Sequence, residues 1–291
     1  MPELPEVEVT RRALEPLLVG RRIRRVTTTA RSYFFLTPPS TLRTRLEGRT
    51  VVGLIRRGKY LLAELDDASH LLLHLGMTGQ LFSSAAASPR LVSAKSRVSL
   101  RPATQRQFQP DAHTHLVIAF SDRGPKLFFR DVRKFGKVRW LAPGREDPRC
   151  EKLGVDALEV RGDDLVAACK KRTAPIKSVL LDQSVLAGVG NIYADEALFR
   201  ARIRPTRRAR ALKRAEYDAL ARAVIAVLEA GIAAGGSSID DFVRPDGSDG
   251  GYQGEHRVYG RSGEPCPRCG SEIRRVVIGQ RSTCFCPSCQ Q

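Results

Sequence analysis

Residues 266–289 read CPRCGSEIRRVVIGQRSTCFCPSC and carry the sharpest structural signal in the chain. Two Cys-x2-Cys pairs stand sixteen residues apart, and four thiolates at this spacing can surround one Zn²⁺ tetrahedrally at about 2.3 Å. The apolar residues 276–278 between the pairs have strand character, so the spacing predicts a zinc-ribbon hairpin. Two disulfides or an iron–sulfur cluster are the alternatives. The predicted ligands are Cys266, Cys269, Cys286 and Cys289.

Such an ion is structural, because four protein ligands leave no coordination position open for a substrate. The metal compensates for the small core of a short element by stabilising its folded form. One further thiol in the same stretch, Cys284, lies off the ligand pattern and is predicted to be a spare cysteine.

The charge of the chain points to a polyanionic partner. Its 291 residues carry a formal net charge of +18, with a pI near 10.2. Residues 1–145 hold 26 basic and 11 acidic side chains, whereas residues 146–291 hold 23 and 20. Nucleic acid is the commonest partner for such an excess, although a generally basic proteome is the alternative. No apolar run suggests a membrane span or a secretory signal, so a cytoplasmic protein is predicted.

The hydrophobic pattern changes along the chain. Residues 5–19 predict a helix, in which Pro16 is expected to cause a kink or an early end. Short β-like runs over residues 23–141 indicate a sandwich or barrel. Residues 83–112, rich in Ser, Ala and Arg, predict a long surface loop, and residues 153–235 have a helical pattern.

Three further motifs suggest a nucleic-acid contact. The Gly-rich turn AGVGN (187–191) leads into a helix whose free amides can bind phosphate, although an ordinary helical hairpin explains it equally well. The motifs HLGMTG (74–79) and RDVRKFG (130–136) resemble hairpin tips that present Met77 and Phe135. Both residue types usually lie in cores. The cations beside Phe135 favour instead an apolar wedge that displaces a base.

Seven stretches, in this order, resemble the formamidopyrimidine-DNA glycosylase family of bacterial repair enzymes for oxidised guanine. They are PELPEVE, RRGKYLL, HLGMTGQL, DVRKFG, LLDQSVLAGVGNIYADEALF, YGRSGEPCPRCG and QRSTCFCPSCQ. The resemblance runs nearly end to end. Relatives of the endonuclease VIII type usually begin PEGP, so Leu4 places the chain in the guanine-lesion branch.

The resemblance implies an α+β fold. It consists of an N-terminal β-sandwich with a flanking helix, a helix–two-turn–helix domain and a C-terminal zinc-ribbon hairpin. The expected boundaries are residues 1–141 for the catalytic sandwich, 142–150 for a linker, 151–255 for the helical DNA-binding domain and 256–291 for the zinc finger. The 83–112 loop is longer than is usual for the family.

The resemblance also implies the catalytic residues. Removal of Met1 would leave Pro2 as a secondary amine, and because a free α-amine titrates near pH 8, a useful fraction is neutral at pH 7. Such an amine can form a Schiff base with a sugar C1′. Glu3 would protonate the sugar ring oxygen. Lys59 would bind phosphate and donate a proton, with a solvated strand-end lysine as the alternative. Arg281 would grip the lesion phosphate.

The remaining family positions are expected to contact DNA. Glu6 would lie near the damaged base, and Met77, Arg133 and Phe135 would fill the gap left by an everted nucleotide. The loop 237–254, which departs from common family versions, would close over the base. The other expected DNA contacts are His74, His113, Lys171, Arg172, Lys177 and Asn191. His115, in the same HTH tripeptide, is the alternative to His113.

The predicted function is therefore that of a monomeric, bifunctional glycosylase and AP lyase acting on oxidised purines in double-stranded DNA, with one structural Zn²⁺ and no membrane association. An endonuclease VIII-type activity on oxidised pyrimidines is one alternative. A non-catalytic zinc-ribbon DNA-binding protein is the other, but the intact Pro2, Glu3 and Lys59 count against it.

Overall fold

A computed structural model describes residues 1–86, 110–239 and 241–291. Most of the predicted 83–112 loop, residues 87–109, lies outside this description. None of the helices in the described ranges combines the length and the apolar character that crossing a bilayer requires. The chain forms two compact units, one made of Met1–Cys150 with Ala234–Gly251 and the other of Glu151–Ala233 with Tyr252–Gln291.

The first unit is built on two four-stranded antiparallel sheets, whose strand orders are β1-β6-β7-β5 and β2-β3-β4-β8. The strands are β1 Ile23–Thr28, β2 Val51–Arg57, β3 Tyr60–Leu65, β4 His70–His74, β5 Gly79–Ser83, β6 Thr114–Phe120, β7 Leu127–Asp131 and β8 Lys137–Leu141. Apolar side chains from both sheets, such as Leu61, Leu73, Ile118 and Phe129, share one buried core. The predicted β-sandwich is therefore confirmed.

Two helices flank this sandwich, α1 (Leu4–Leu18) and α2 (Pro39–Leu46). Leu14 and Leu18 of α1 enter the shared core. Of the two effects expected of Pro16, the early end is wrong, because α1 continues to Leu18, whereas the kink stays a prediction. A proline in the last turn removes only one helical hydrogen bond, and the Val19 amide still closes that turn on the Glu15 carbonyl at 3.0 Å.

A late segment of the chain, residues 234–251, completes the first unit. The Gln80 side-chain amide donates to the Asp241 carbonyl at 2.7 Å. The Ser83 amide donates to the Pro245 carbonyl at 3.2 Å, and Val243 packs with Phe82 in a second small core. The helical region expected over residues 151–255 is therefore interrupted by a segment that belongs to the sandwich.

The second unit contains four helices and the C-terminal hairpin. The helices are α3 Gly162–Cys169, α4 Ile176–Leu181, α5 Asn191–Arg200 and α6 Arg214–Ala233. A short parallel pair joins β9 (Val155–Asp156) to β10 (Leu186–Ala187). Two 3-10 helices cover Ala209–Ala211 and Tyr252–Glu255.

The hairpin pairs β11 (Arg274–Ile278) with β12 (Arg281–Phe285). Its two-residue turn, Gly279 and Gln280, has φ values of 53° and 63°. Positive φ at both positions matches the twist of paired strands, which explains the tight reversal. The predicted helical domain and zinc-ribbon hairpin are both confirmed.

Candidate catalytic terminus and nucleic-acid interface

The N-terminus is held by a buried carboxylate. Glu6, only 1% exposed, accepts the Glu3 amide at 2.8 Å through Oε2 and the Ser237 amide at 2.9 Å through Oε1. Glu3 and Pro2 are buried, whereas Met1, which blocks the Pro2 nitrogen, is 40% exposed. One carboxylate therefore joins the start of α1 to the late 234–251 segment.

That junction needs a glycine. Gly236 has φ +85°, and a methyl group there would lie 2.8 Å from the Phe242 ring and 3.2 Å from Glu6 Cγ. Any L-side chain would therefore strain the backbone and push against the carboxylate that holds the terminus.

Lys59 and His74 lie close together in the first unit. Lys59 occupies the two-residue turn between β2 and β3 and is largely buried. The His74 ring packs against Tyr60 with the ring planes tilted by 38° and 4.7 Å between centroids, and its Nδ1 accepts the Gly76 amide at 3.2 Å. Burial, and then the positive charges of Lys59 and its neighbours, lower the pKa of His74 to about 4. The neutral ring therefore keeps its proton on Nε2 and acts as a hydrogen-bond donor.

The two predicted hairpin tips meet in the structure. Arg133 and Phe135 are exposed, with the guanidinium 4.6 Å from the ring centroid, and Met77 is half-buried. A methyl group on Gly76 would lie 2.5 Å from the backbone of Phe135 and Gly136. The tips pack backbone against backbone, and Phe135 points away from the core.

The histidines of the HTH tripeptide differ in position. His113 is half-buried and directly precedes β6, whereas His115 lies in β6 and is buried. His115 Nε2 lies 2.9 Å from the Asp131 carbonyl oxygen, and its Nδ1 lies 3.3 Å from the Thr29 hydroxyl. His113 therefore remains the candidate for a DNA contact, while His115 makes its polar contacts inside the first unit.

Lys177 lies inside the second unit and is completely buried. Its ammonium lies 2.6 Å from Asp195 Oδ1, 2.9 Å from the Thr283 hydroxyl and 3.1 Å from the Ser282 carbonyl. A direct phosphate contact does not fit this enclosure, since the ammonium already faces three protein oxygens. Its charge fixes strand β12 instead.

A second side chain reaches the same carbonyl. Asn191 donates from Nδ2 to the Ser282 oxygen at 2.9 Å, and Asp195 accepts the Cys284 amide at 2.9 Å. Ser282 follows Arg281, whose side chain is exposed. The backbone beside Arg281 is therefore anchored from within the second unit while its guanidinium stays accessible.

The other two basic candidates precede α4. Lys171 is exposed, whereas Arg172 forms an ion pair with Asp182 at 2.7 Å. Both lie on the turn between α3 and α4. Lys171 therefore offers the more accessible charge of the two.

The four predicted zinc ligands lie together. Their sulfur atoms are all within 4.8 Å of one another, with 4.0 Å between Cys266 and Cys289 and 3.5 Å between Cys269 and Cys286. Tetrahedral ligation at about 2.3 Å requires sulfurs about 3.8 Å apart, whereas a disulfide requires about 2.05 Å. The donor set fits one zinc ion and not two disulfides. Cys284 points into an apolar cluster with Phe199.

Comparisons with known proteins agree with this geometry. Family models match residues 1–138 (Formamidopyrimidine-DNA glycosylase N-terminal domain), 153–243 (Formamidopyrimidine-DNA glycosylase H2TH domain) and 263–291 (Zinc finger found in FPG and IleRS). A formamidopyrimidine-DNA glycosylase of Paracoccus denitrificans is 43% identical over 300 residues, with 100% of each chain covered.

The chain belongs to the formamidopyrimidine-DNA glycosylase family. Among solved structures, the MutM (Fpg) protein of Thermus thermophilus has a TM-score of 0.82 and 39% identity over 99% of this chain and 98% of its own. A mutant Fpg of Lactococcus lactis in complex with Fapy-dG-containing DNA has a TM-score of 0.85 and 35% identity, with 100% of each chain covered. The protein is therefore a DNA-repair glycosylase with a C-terminal zinc finger.

Sequence reasoning missed several buried polar residues. Asp131 and Asp195 are fully buried, and Ser237 supplies the amide that Glu6 holds. An acidic residue among apolar neighbours, as in NIYADEALF, is the signal that could have identified Asp195. No local pattern identified the partners.

Proposed function

We propose that this glycosylase is bifunctional, removes oxidised purines (8-oxoguanine and formamidopyrimidines) from duplex DNA, and cleaves the resulting abasic site by β,δ-elimination. The N-terminus is the observation on which the proposal depends, because Pro2 and Glu3 directly precede α1, whose Glu6 accepts the Ser237 amide. A helix start alone needs no such link to a segment more than 230 residues away. The Fapy-dG complex of the L. lactis relative supports the substrate class.

The chemistry requires a free Pro2 nitrogen. After removal of Met1, the lone pair of the Pro2 nitrogen attacks C1′ of the everted nucleoside and the glycosidic bond breaks. The base leaves with that bonding pair and takes up the proton that the nitrogen loses. Glu3 protonates the ring oxygen, the sugar opens and the amine becomes an iminium ion.

The iminium ion then acts as the electron sink for strand cleavage. Loss of a C2′ proton expels the 3′ phosphate, and a second proton loss expels the 5′ phosphate. Water hydrolyses the final iminium ion and restores the free Pro2 amine. Lys59 would donate a proton and bind phosphate. Its charge acts on the ring of His74, whose neutral Nε2–H would donate to a phosphate oxygen.

The proposed DNA binding combines cations that contact phosphates with side chains that enter the base stack. Exposed cations, including Lys171 and Arg281, would bind phosphates, so affinity should fall steeply with salt. Met77, Arg133 and Phe135 would fill the stack once the nucleotide everts, with Arg133 facing the orphaned base, where we expect cytosine. The zinc-held hairpin presents Arg281 for the lesion phosphate and the second elimination. The loop 237–254, whose Ser237 amide donates to Glu6, would cover the everted base.

Borohydride trapping tests this proposal. The mature protein should form a covalent adduct on a duplex with 8-oxoguanine opposite cytosine, and mass spectrometry should show loss of Met1. An uncleaved N-terminal tag should abolish trapping, whereas Pro2→Gly, which replaces the secondary amine with a primary one, should keep part of it. Trapping only on a thymine-glycol duplex would assign the protein to oxidised pyrimidines instead. Absence of any adduct with mature protein would leave a DNA-binding role.

A further inference from the structure

A buried polar cluster lies where the two hairpin tips meet. It consists of Asp131, Thr78 and His115, all buried. Asp131 Oδ1 accepts the Thr78 hydroxyl and, at 3.2 Å, the Arg133 amide. Its Oδ2 accepts the Gly136 amide at 2.7 Å. On the neighbouring strand β6, His115 Nε2 lies 2.9 Å from the Asp131 carbonyl oxygen.

These contacts fasten both ends of the tip that carries Phe135. The Arg133 amide is held at one end by Asp131 and by the Thr78 hydroxyl oxygen at 3.1 Å. The Gly136 amide is held at the other end by the same Asp131 carboxylate. Only Lys134 and Phe135 lie between, so a single buried anion fixes the span of the exposed tip.

The conformation of the tip needs such support. Lys134 has φ 57°, the left-handed region that residues with a side chain rarely adopt. Strained backbone persists where surrounding contacts hold it in place. From the solvent side, the Tyr33 hydroxyl donates to the Arg133 carbonyl at 2.9 Å, which holds the same peptide from outside.

The hydrogen-bond donors around Asp131 require a carboxylate at this position. Three donors, the Thr78 hydroxyl and two backbone amides, converge on the two Asp131 oxygens. An asparagine has the same shape but would turn an NH₂ group toward at least one N–H or O–H donor, which leaves that donor unsatisfied in a buried site.

We propose that Asp131 is a positioning residue for base eversion, and that with Thr78 it holds the tips rigid enough for Phe135 and Met77 to enter the stack. This inference rests on the proposed function, because it assigns a support to the proposed wedge. Asp131 does not touch the reacting atoms. Its loss should therefore slow eversion of a paired lesion and spare chemistry at a site that has no base to evert.

The test compares Asp131→Asn with wild type on two duplexes, one with 8-oxoguanine paired to cytosine and one with a preformed abasic site. Single-turnover base release from the paired lesion should fall by about tenfold or more, which corresponds to a modest loss of transition-state stabilisation. Trapping at the abasic site should stay within about threefold. Equal losses on both duplexes, or no loss on the paired lesion, would overturn the proposal.

Two conservative variants of Thr78 test whether the loss in Asp131→Asn comes only from misfolding. Thr78→Val removes the hydroxyl while preserving shape and should repeat the selective loss, whereas Thr78→Ser keeps the hydroxyl and should act as wild type. Fluorescence of 2-aminopurine placed beside the lesion reports eversion without chemistry, and its rise should be slowed in Asp131→Asn. Two results with the wild-type protein would instead count against the proposed function. One is slow eversion of the lesion, and the other is the absence of a trapped adduct on both duplexes. A 2-aminopurine signal unchanged by Asp131→Asn would refute the positioning role.

Discussion

The ammonium of Lys177 lies 2.6 Å from Oδ1 of Asp195, and neither side chain is exposed. This pair links α4 to α5 and, through the Ser282 carbonyl and the Cys284 amide, to strand β12. A buried charge pair of this kind is costly to break because the remaining partner keeps its charge without compensation. The pair therefore ties the position of the zinc hairpin to the helices.

Removing one partner should damage the second unit. Lys177→Met leaves Asp195 buried beside an apolar chain, and we expect a loss of unfolding free energy of about 3 kcal/mol or more. The double variant Lys177→Met/Asp195→Leu should recover much of that loss. Denaturant unfolding of all four combinations measures the coupling, and additive single losses would contradict it.

The same variants should separate an indirect role of Lys177 from a phosphate contact. If Lys177 acts through the hairpin, the double variant should retain the slope of log affinity against log salt, because no phosphate contact is lost. A direct contact would reduce the magnitude of that slope by about 0.9. Lys171→Met, which removes an exposed charge, is the control that should reduce it.

His74 should not gain charge over the working pH range. Because burial and adjacent cations lower its pKa to about 4, the folded protein resists protonation that the unfolded chain accepts near pH 6.5. Its contribution to stability is therefore present above about pH 6.5 and lost as pH falls toward 4. His74→Gln, which keeps an Nε2 donor but does not titrate, should flatten that part of the stability profile.

DNA binding gives a second measure of the same group. The slope of log DNA affinity against log salt is compared between wild type and His74→Gln. The difference between the two slopes should be the same at pH 8 and pH 6, since the His74 ring is neutral at both. A wild-type slope steeper at pH 6 by about 0.9 would indicate a protonated imidazole on phosphate.

Zinc removal should unfold the hairpin selectively. Chelation, or Cys269→Ser, should release the bound metal and weaken DNA binding, because the ribbon has little core without it. Cys284→Ala is the matched control, since its sulfur lies outside the ligand set. Metal analysis of purified protein should give one zinc per chain for the control and less for Cys269→Ser. Equal zinc content in both would contradict the ligand assignment.

The glycine at the Glu6 junction should resist substitution. Gly236→Ala forces a side-chain-bearing residue to φ +85° against the Phe242 ring, and we expect destabilisation of about 1–3 kcal/mol. Gly254→Ala, where a new methyl group meets nothing within 4 Å, should have a far smaller effect. Thermal unfolding measures both, and equal shifts would contradict the steric argument.

The sequence predicted what depends on local spacing. Two Cys-x2-Cys pairs define the hairpin, and alternating apolar runs define the strands, because each signal lies within a few residues. It could not predict that Lys177 is buried, since a lysine on a helix usually stays solvated and its partner lies eighteen residues away. It could not place residues 234–251 in the first unit either, because the pairing of Glu6 with Ser237 spans most of the chain. Asp131 reads as an ordinary strand-end acid until its three donors are known.

The late position of residues 234–251 in the chain also sets the order in which the first unit can fold during synthesis. A ribosome that has released the first 150 residues has made every strand of the sandwich, yet Ser237 has not been translated and Glu6 lacks the amide that it holds at 2.9 Å. The nascent enzyme can therefore fold most of its first unit early but completes the seat of its N-terminus only after the helices α3 to α6 have emerged. Truncation before residue 237 would yield a sandwich in which Glu6 lacks the Ser237 amide.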